Sequence, residues 1–247
     1  MQRILAAVIV LIVAAGRALA ADIAVPAPVP VAPAAIYAPI YNWGGIYVGI
    51  NGGGAFGSST WTDPGNPVGN SGSFNVNGGL IGGTIGANFQ ADSWVFGLEG
   101  DFDWQSVKGT NSSAFCTSVG VTIVGPSAGL SCQTQSNWLG TIRGRVGYAW
   151  NYILLYGTAG GAWANVKTSL ISGQSSNAFG WTAGAGIEYA FADYWTAKLE
   201  YLFVGFSNFS CTGGACGFNA PAGVPANDAV KFNENVIRVG VNYKFRP

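Results

Sequence analysis

Charge is scarce in this chain: only 9% of its 247 residues are Asp, Glu, Lys or Arg, against 49% hydrophobic. A soluble domain carries about 25% charged residues, so much of this surface is not built for water. Histidine is absent altogether. That removes the commonest general base and any Ser-His-Asp machinery, and no enzyme or cofactor site is expected. A long hydrophobic run is also missing. The longest, residues 4–15, is shorter than the about 20 residues of a membrane helix and lies at the extreme N-terminus. The remaining way to cross a bilayer with every backbone group satisfied is a closed β-barrel. The 38 glycines and 13% aromatic residues suit a barrel and suit a helical bundle poorly.

The N-terminus reads as an export signal. Arg3 is the positive flank, residues 4–15 the apolar segment, and Ala18-Leu19-Ala20 an A-x-A cleavage site. Residues 1–20 are thus a signal peptide and the mature chain starts at Ala21. Losing Arg3 and Arg17 leaves nine basic against 11 acidic residues, with no basic patch for nucleic acid. Residues 21–42 (VPAPVPVAP, then IYAP) form an extended Pro-rich periplasmic leader, since proline cannot donate ladder hydrogen bonds.

Residues 43–247 repeat one pattern: segments of ten or more residues that alternate bulky apolar with small or polar side chains. Strands are expected near 43–56, 75–89, 94–104, 138–149, 152–167, 179–191, 195–206 and 235–245. Tight turns at 90–93, 150–151 and 192–194 alternate with longer Gly/Ser/Asn/Thr-rich segments at 57–74, 105–137, 168–178 and 207–234. Short periplasmic turns and long external loops mark a bacterial barrel. The fold class is all-β, a transmembrane antiparallel up-and-down barrel of eight strands.

Parity separates two faces. Ile237, Val239, Val241, Tyr243 and Phe245 oppose Arg238, Asn242 and Lys244. Trp195, Leu199 and Tyr201 oppose Lys198 and Glu200. Trp94, Phe96 and Phe102 oppose Glu99, Asp101 and Asp103, Ile142 and Val146 oppose Arg143 and Arg145, and Ile187 opposes Glu188. The faces of 152–167 cannot be assigned. Aromatics such as Phe89, Trp94, Trp150, Phe191 and Trp195 sit beside the tight turns, as in an interfacial girdle.

The segments WGGIYVGINGGGAFG (43–57), NGGLIGGTIGANFQ (77–90) and VIRVGVNYKF (236–245) resemble the small outer-membrane immunogenic, porin-family proteins of α-proteobacteria, which look like the OmpA/OmpX type of barrel. The resemblance covers nearly all of the mature chain. It implies an abundant, surface-antigenic eight-stranded barrel in the outer membrane; pore formation or haemin binding is attributed to some members. Such barrels end on an aromatic residue read by the barrel-assembly machinery. Here Phe245 is followed by Arg246 and Pro247, so Tyr243 and Phe245 are the expected assembly signal.

The candidate site is the charged lumen. Five acids (Glu99, Asp101, Asp103, Glu188, Glu200) face five bases (Arg143, Arg145, Lys198, Arg238, Lys244). An eight-stranded interior is just wide enough to be filled by side chains, so these charges should pair and close it. The alternative is a narrow ion path in which pairs exchange partners, with interior glycines leaving room for water. No metal site is expected: Glu99, Asp101 and Asp103 on one strand face are too linear to wrap Ca²⁺. The G-x-G-x-x-G match at 52–57 precedes a loop, not a helix, and is coincidental.

Export places Cys116, Cys132, Cys211 and Cys216 in an oxidising compartment. Of three connectivities, bridges within each loop are simplest. Haemin would need an axial ligand; histidine is absent and the expected external loops contain no tyrosine. The expected function is an envelope surface protein held by outer-membrane lipid and lipopolysaccharide and exposing loops to a host or environmental ligand. A narrow passive porin is the alternative.

Overall fold

A computed structural model describes residues 41–63, 70–113, 116, 131–169, 173–212, 218–219, 224–225 and 227–245. The signal peptide, the leader up to residue 40 and Cys216 lie outside these. Seven long strands follow in order: β1 (Gly45–Thr62), β2 (Phe74–Ala91), β3 (Trp94–Asn111), β4 (Cys132–Trp150), β5 (Ile153–Ser169), β6 (Gly173–Ala192) and β7 (Trp195–Phe206). Three short pieces, β8 (Phe209–Thr212), β9 (Phe218–Asn219) and β10 (Val224–Pro225), precede the last long strand, β11 (Asn227–Lys244).

Each long strand pairs antiparallel with the next, and β11 returns to pair with β1, from Tyr47↔Lys244 to Thr62↔Ala229. The ring therefore closes through eight strands, β1–β7 and β11. β8 prolongs the line of β7 by pairing with the first residues of β11. Closure leaves no sheet edge within the bilayer.

Two-residue turns join β2 to β3, β4 to β5 and β6 to β7 at Asp92-Ser93, Asn151-Tyr152 and Asp193-Tyr194. Asp92 and Asn151 take φ of 53° and 54°, a conformation that Asp and Asn tolerate better than most residues.

The strands run further than the sequence pattern suggests. Expected loop residues 57–62, 105–111, 132–137, 168–169, 173–178 and 227–234 are all strand. Eighteen residues at about 3.3 Å each, tilted about 45°, rise roughly 40 Å, well beyond an apolar band about 25 Å tall. The outward face shows where that band lies. Ile46, Ile50, Ile81, Ile85, Leu98, Ile142, Val146 and Val239 are exposed on it. Phe89, Trp94, Trp150, Phe191 and Trp195 ring its turn end, and Phe56, Trp104, Phe179 and Trp181 its loop end. Beyond the second ring the outward positions become polar, as at Ser58, Thr60, Asn75 and Asn77.

The parity reading of β4 stops at a bulge. Ser136 pairs with Val166 and Trp138 with Asn165, so Asn137 is an extra residue. Even-numbered Cys132, Thr134 and Ser136 face inward above it, and odd-numbered Leu139, Thr141, Arg143 and Arg145 below it. The structure also settles β5: Leu154, Tyr156, Thr158, Ala162, Ala164 and Val166 point in. Small inward residues and apolar pairs on both faces hid that alternation.

Candidate functional site: a three-layer barrel interior

The interior is stacked in three layers. At the turn end Tyr41, Trp43, Val95, Ala149, Leu154, Tyr156 and Ala190 form a buried apolar cluster. Trp43 arrives just before β1 and tucks under the barrel, where its backbone N–H donates to Gln90 Oε1 at 2.6 Å. The Tyr41 and Trp43 rings meet edge to face at 4.8 Å. Burial pushes the Tyr41 hydroxyl up to about 12.

The middle layer is the charged belt. Arg143 reaches Glu99 at 2.6 Å, Asp101 at 2.6 Å and Glu200 at 3.0 Å. Arg145 holds Glu188 at 2.7 Å and Glu99 at 3.4 Å. Lys198 meets Glu99 at 3.1 Å. Arg238 binds Glu200 at 2.6 Å, Asp103 at 2.8 Å and Asp101 at 2.9 Å. The seven other groups of this network reach Glu99 or Glu200 directly or through one partner, and all are buried. Hydroxyls complete it: Tyr47 donates to Glu99, Tyr156 to Glu200, Thr84 to Asp101 and Thr196 to Glu188. Arg145 also lies 4.1 Å from the Tyr156 ring centre, a cation–π contact.

Sequence neighbours explain only part of this. Glu99 and Arg143 are register partners on β3 and β4, and Glu200 and Arg238 on β7 and β11. Arg238 to Asp103, Arg143 to Glu200 and Lys198 to Glu99 instead cross the lumen, joining strands that are not neighbours in the sheet. Only barrel closure brings them together.

Lys244 is a correction to the expected set. It points inward by parity but sits at the turn-end rim. There its ammonium donates to the Asn42 carbonyl and lies 4.2 Å from the Tyr41 ring centre, away from the belt's carboxylates. The interior glycines are a second correction, because they do not leave space for water. A Cβ on Gly86 would overlap the Tyr47 ring, and one on Gly186 the Tyr156 hydroxyl. These glycines are slots that receive large inward side chains.

The third layer was not read from the sequence. From β1 to β11 the loop half of the interior is mainly apolar: Trp61, Val76, Leu80, Leu139, Leu202, Val204 and Phe232 are among its fully or almost fully buried members, with the Ser59 and Thr134 hydroxyls hydrogen-bonded to each other among them. Phe206 stacks on Phe232 at 5.3 Å. Trp61 Nε1 donates to Thr134 Oγ1 at 3.0 Å, which places its indole across the barrel from β1 to β4. The Cys116–Cys132 disulfide is buried in this same core and not on a surface loop. Cys211 is also disulfide-bonded and buried there. Parity alone missed this layer because the face that carries charge near the turns carries Leu202, Val204, Phe232 and Val236 further along.

Glu234 was also missed. It is completely buried on β11, between the belt and the apolar core, and accepts one hydrogen bond, from Gln105 Nε2 at 3.3 Å. It falls in the segment 207–234, which reads as a loop from its Gly, Ser, Asn and Thr content, and this hid its inward position. Tyr243 and Phe245 lie on the outward aromatic belt, their rings edge to face at 5.3 Å, with the Phe245 N–H donating to the Ile46 carbonyl.

The comparisons agree with this geometry. Residues 10–245 match the family model described as the outer membrane protein beta-barrel domain. The chain belongs to that outer-membrane β-barrel family. It is 35% identical to the 31 kDa outer-membrane immunogenic protein of Brucella melitensis, over 94% of this chain and 95% of that one. It is 31% identical to the 22 kDa outer membrane protein of Rhizobium leguminosarum, over 84% and 80% of the two chains. Among solved structures, the outer membrane protein OprG from Pseudomonas aeruginosa superposes with a TM-score of 0.51 at 14% identity, covering 85% of this chain and all of OprG. The barrel therefore resides in the outer membrane, with its turn end toward the periplasm.

Proposed function

We propose that this family member is a closed envelope barrel that presents its outer end as a surface antigen, without enzymatic activity. The observation that carries the closed state is the series of layers: an apolar plug, a paired charged belt and a second apolar core. A passive porin needs a continuous polar path, and two of the three layers offer none. Relatives named for their immunogenicity, over nearly the whole chain, support the antigen reading.

The outer end suits a glycolipid surface. Its exposed outward-facing charges beyond the aromatic rings are Lys108, Lys167 and Lys231, among the described residues, interspersed with Asn and Gln. Such a collar matches the phosphates of lipopolysaccharide. At the inner end, Phe245 and Tyr243 offer the aromatic strand terminus to the assembly machinery after a signal peptide is removed at Ala21.

The deciding test is single-channel recording of the folded mature protein in a planar bilayer, with folding checked by heat-dependent gel mobility. A silent bilayer is expected. Stable, reproducible conductance steps would replace this reading with the porin.

A further inference from the structure

Charge on the outward face has one sign. Among the described residues, every Asp and Glu of the long strands is buried in the interior, from Glu99 on β3 to Glu234 on β11. The outward strand positions carry Lys108, Lys167 and Lys231 and no carboxylate to balance them.

The three lysines are not spread evenly. Lys108 on β3 pairs in register with Gln135 on β4, and Gln135 with Lys167 on β5. Both lysines are exposed, in one row with a single strand between them. At about 4.8 Å per strand their backbones stand roughly 10 Å apart, so two four-carbon stems can reach one anion held over Gln135. The Lys167 stem now runs along Gly173 at the start of β6, with no side chain there to hold it. Lys231 on β11 lies three strands from β3 and three from β5 in the ring of eight, on the opposite wall.

Below the lysines lies a run of amides. Gln135 Nε2 donates to Asn137 Oδ1 at 2.9 Å, Asn137 Nδ2 to Asn165 Oδ1 at 3.2 Å and Asn165 Nδ2 to Asn177 Oδ1 at 3.2 Å. Each donating amide carries two hydrogens and spends one on this ladder, so each keeps one for a ligand. The levels follow the bilayer. Trp104 precedes Lys108 on β3 by four residues, as Trp163 precedes Lys167 on β5. At about 3.3 Å per residue and about 45° of tilt, the lysines stand roughly 9 Å outside the aromatic level, with the amides between. Further down the same wall the outward positions become small. Gly144, Ala159 and Ala183 form one row, and Val146, Gly157 and Ala185 the next. A Cβ on Gly144 or Gly157 would meet nothing closer than 3.9 Å, which leaves a shallow bed for hydrocarbon.

We infer that Lys108, Gln135 and Lys167, with the Asn137–Asn165–Asn177 ladder, bind one phosphorylated, acylated glycolipid of the outer leaflet on the β3–β6 wall. Its phosphate sits between the two ammonium groups, a charge-assisted contact on a face without carboxylates. Its sugar hydroxyls take the spare amide hydrogens, and its acyl chains run down over the small residues. The inference rests on the lipopolysaccharide collar proposed above and narrows it to one site on one wall.

The test is native mass spectrometry of the mature barrel, refolded in detergent micelles and titrated with diphosphoryl lipid A. Heat-dependent gel mobility confirms that each variant is folded. One lipid A per barrel is expected at the lowest concentrations that bind. Lys108→Gln combined with Lys167→Gln should weaken binding by about tenfold or more, while Lys231→Gln leaves it unchanged. Lipid A stripped of its phosphates should bind as weakly as the double variant does, and so should phosphatidylglycerol, which has the charge but no sugar. Inorganic phosphate should not displace the bound lipid. Unchanged binding by the double variant, or an equal loss in Lys231→Gln, overturns the site and leaves a diffuse collar. Equal binding of phosphatidylglycerol or of the dephosphorylated lipid overturns it too, as does displacement by inorganic phosphate. A folded wild-type barrel that binds no lipid A defeats the collar as well.

Discussion

At the residue scale, Arg238, like Arg143, holds three of the belt's carboxylates. It touches Asp101, Asp103 and Glu200 and is almost wholly buried. Arg238→Ala leaves three carboxylates short of their cation. Removing one partner of a buried pair costs about 3–5 kcal/mol, and here the loss should reach the upper part of that range. Urea unfolding of the refolded barrel, followed by tryptophan fluorescence, measures it. An effect below about 1 kcal/mol, the level of an exposed pair, would show that the belt is hydrated and not sealed. Arg238→Lys should recover only part of the stability, because one ammonium cannot span three carboxylates as the guanidinium fork does.

The same scale shows how much of the site was legible. Charged residues at alternating positions beside bulky apolar ones gave all ten belt candidates their inward direction, and nine of them, including Arg238 and Glu188, lie in the belt. Lys244 had the right face but the wrong depth, since parity reports direction and not height along the barrel. Glu234 had no such signal. Val230, Phe232 and Val236 alternate with outward Lys231, Asn233 and Asn235, but Glu234 interrupts the apolar set, and three polar residues in a row at 233–235 read as loop.

At the element scale, β4 shows why a periodic pattern is legible only between irregularities. A bulge adds one residue and reverses the parity beyond it. Asn137 does this between Ser136 and Trp138. Its side chain takes part in an outward amide ladder, donating to Asn165 at 3.2 Å, and Asn165 donates in turn to Asn177 at 3.2 Å. Deleting Asn137 should turn Cys132 outward if the lower half of β4 keeps its register. The Cys116–Cys132 bridge would then fail to form. Mass spectrometry of the unreduced protein after alkylation should find two free thiols per chain where the wild type has none. Retention of the bridge would mean that β4 slides as a unit and sacrifices its belt arginines instead.

At the scale of the whole molecule, the layers act in series. A path must cross all three, so opening one does not open the barrel. Arg238→Ala should therefore remain silent in a planar bilayer despite its lost stability, because the Trp43 cluster and the Trp61 core still close both ends. Trp43→Ala should be silent for the same reason. Conductance steps in either single variant would place the barrier in that one layer and revise the account of closure. The outward face is simpler: aromatic rings at two levels, with apolar side chains between, hold the barrel at a fixed depth in the bilayer.

The amino-acid sequence alone determined the class of solution. Little charge, no apolar run long enough for a helix, and period-two alternation between tight turns leave only a membrane barrel, because the bilayer forbids unpaired backbone groups. It also determined which side chains near the turns face inward, since strand geometry alternates them without exception between bulges. Tertiary structure decided the rest. Ring closure brings together residues as far apart as Arg238 and Asp101, separated by 137 positions, and no local pattern encodes such a pairing. It also decided that the inward face turns from charged to apolar along the same strands, because what an inward residue needs depends on the seven strands around it.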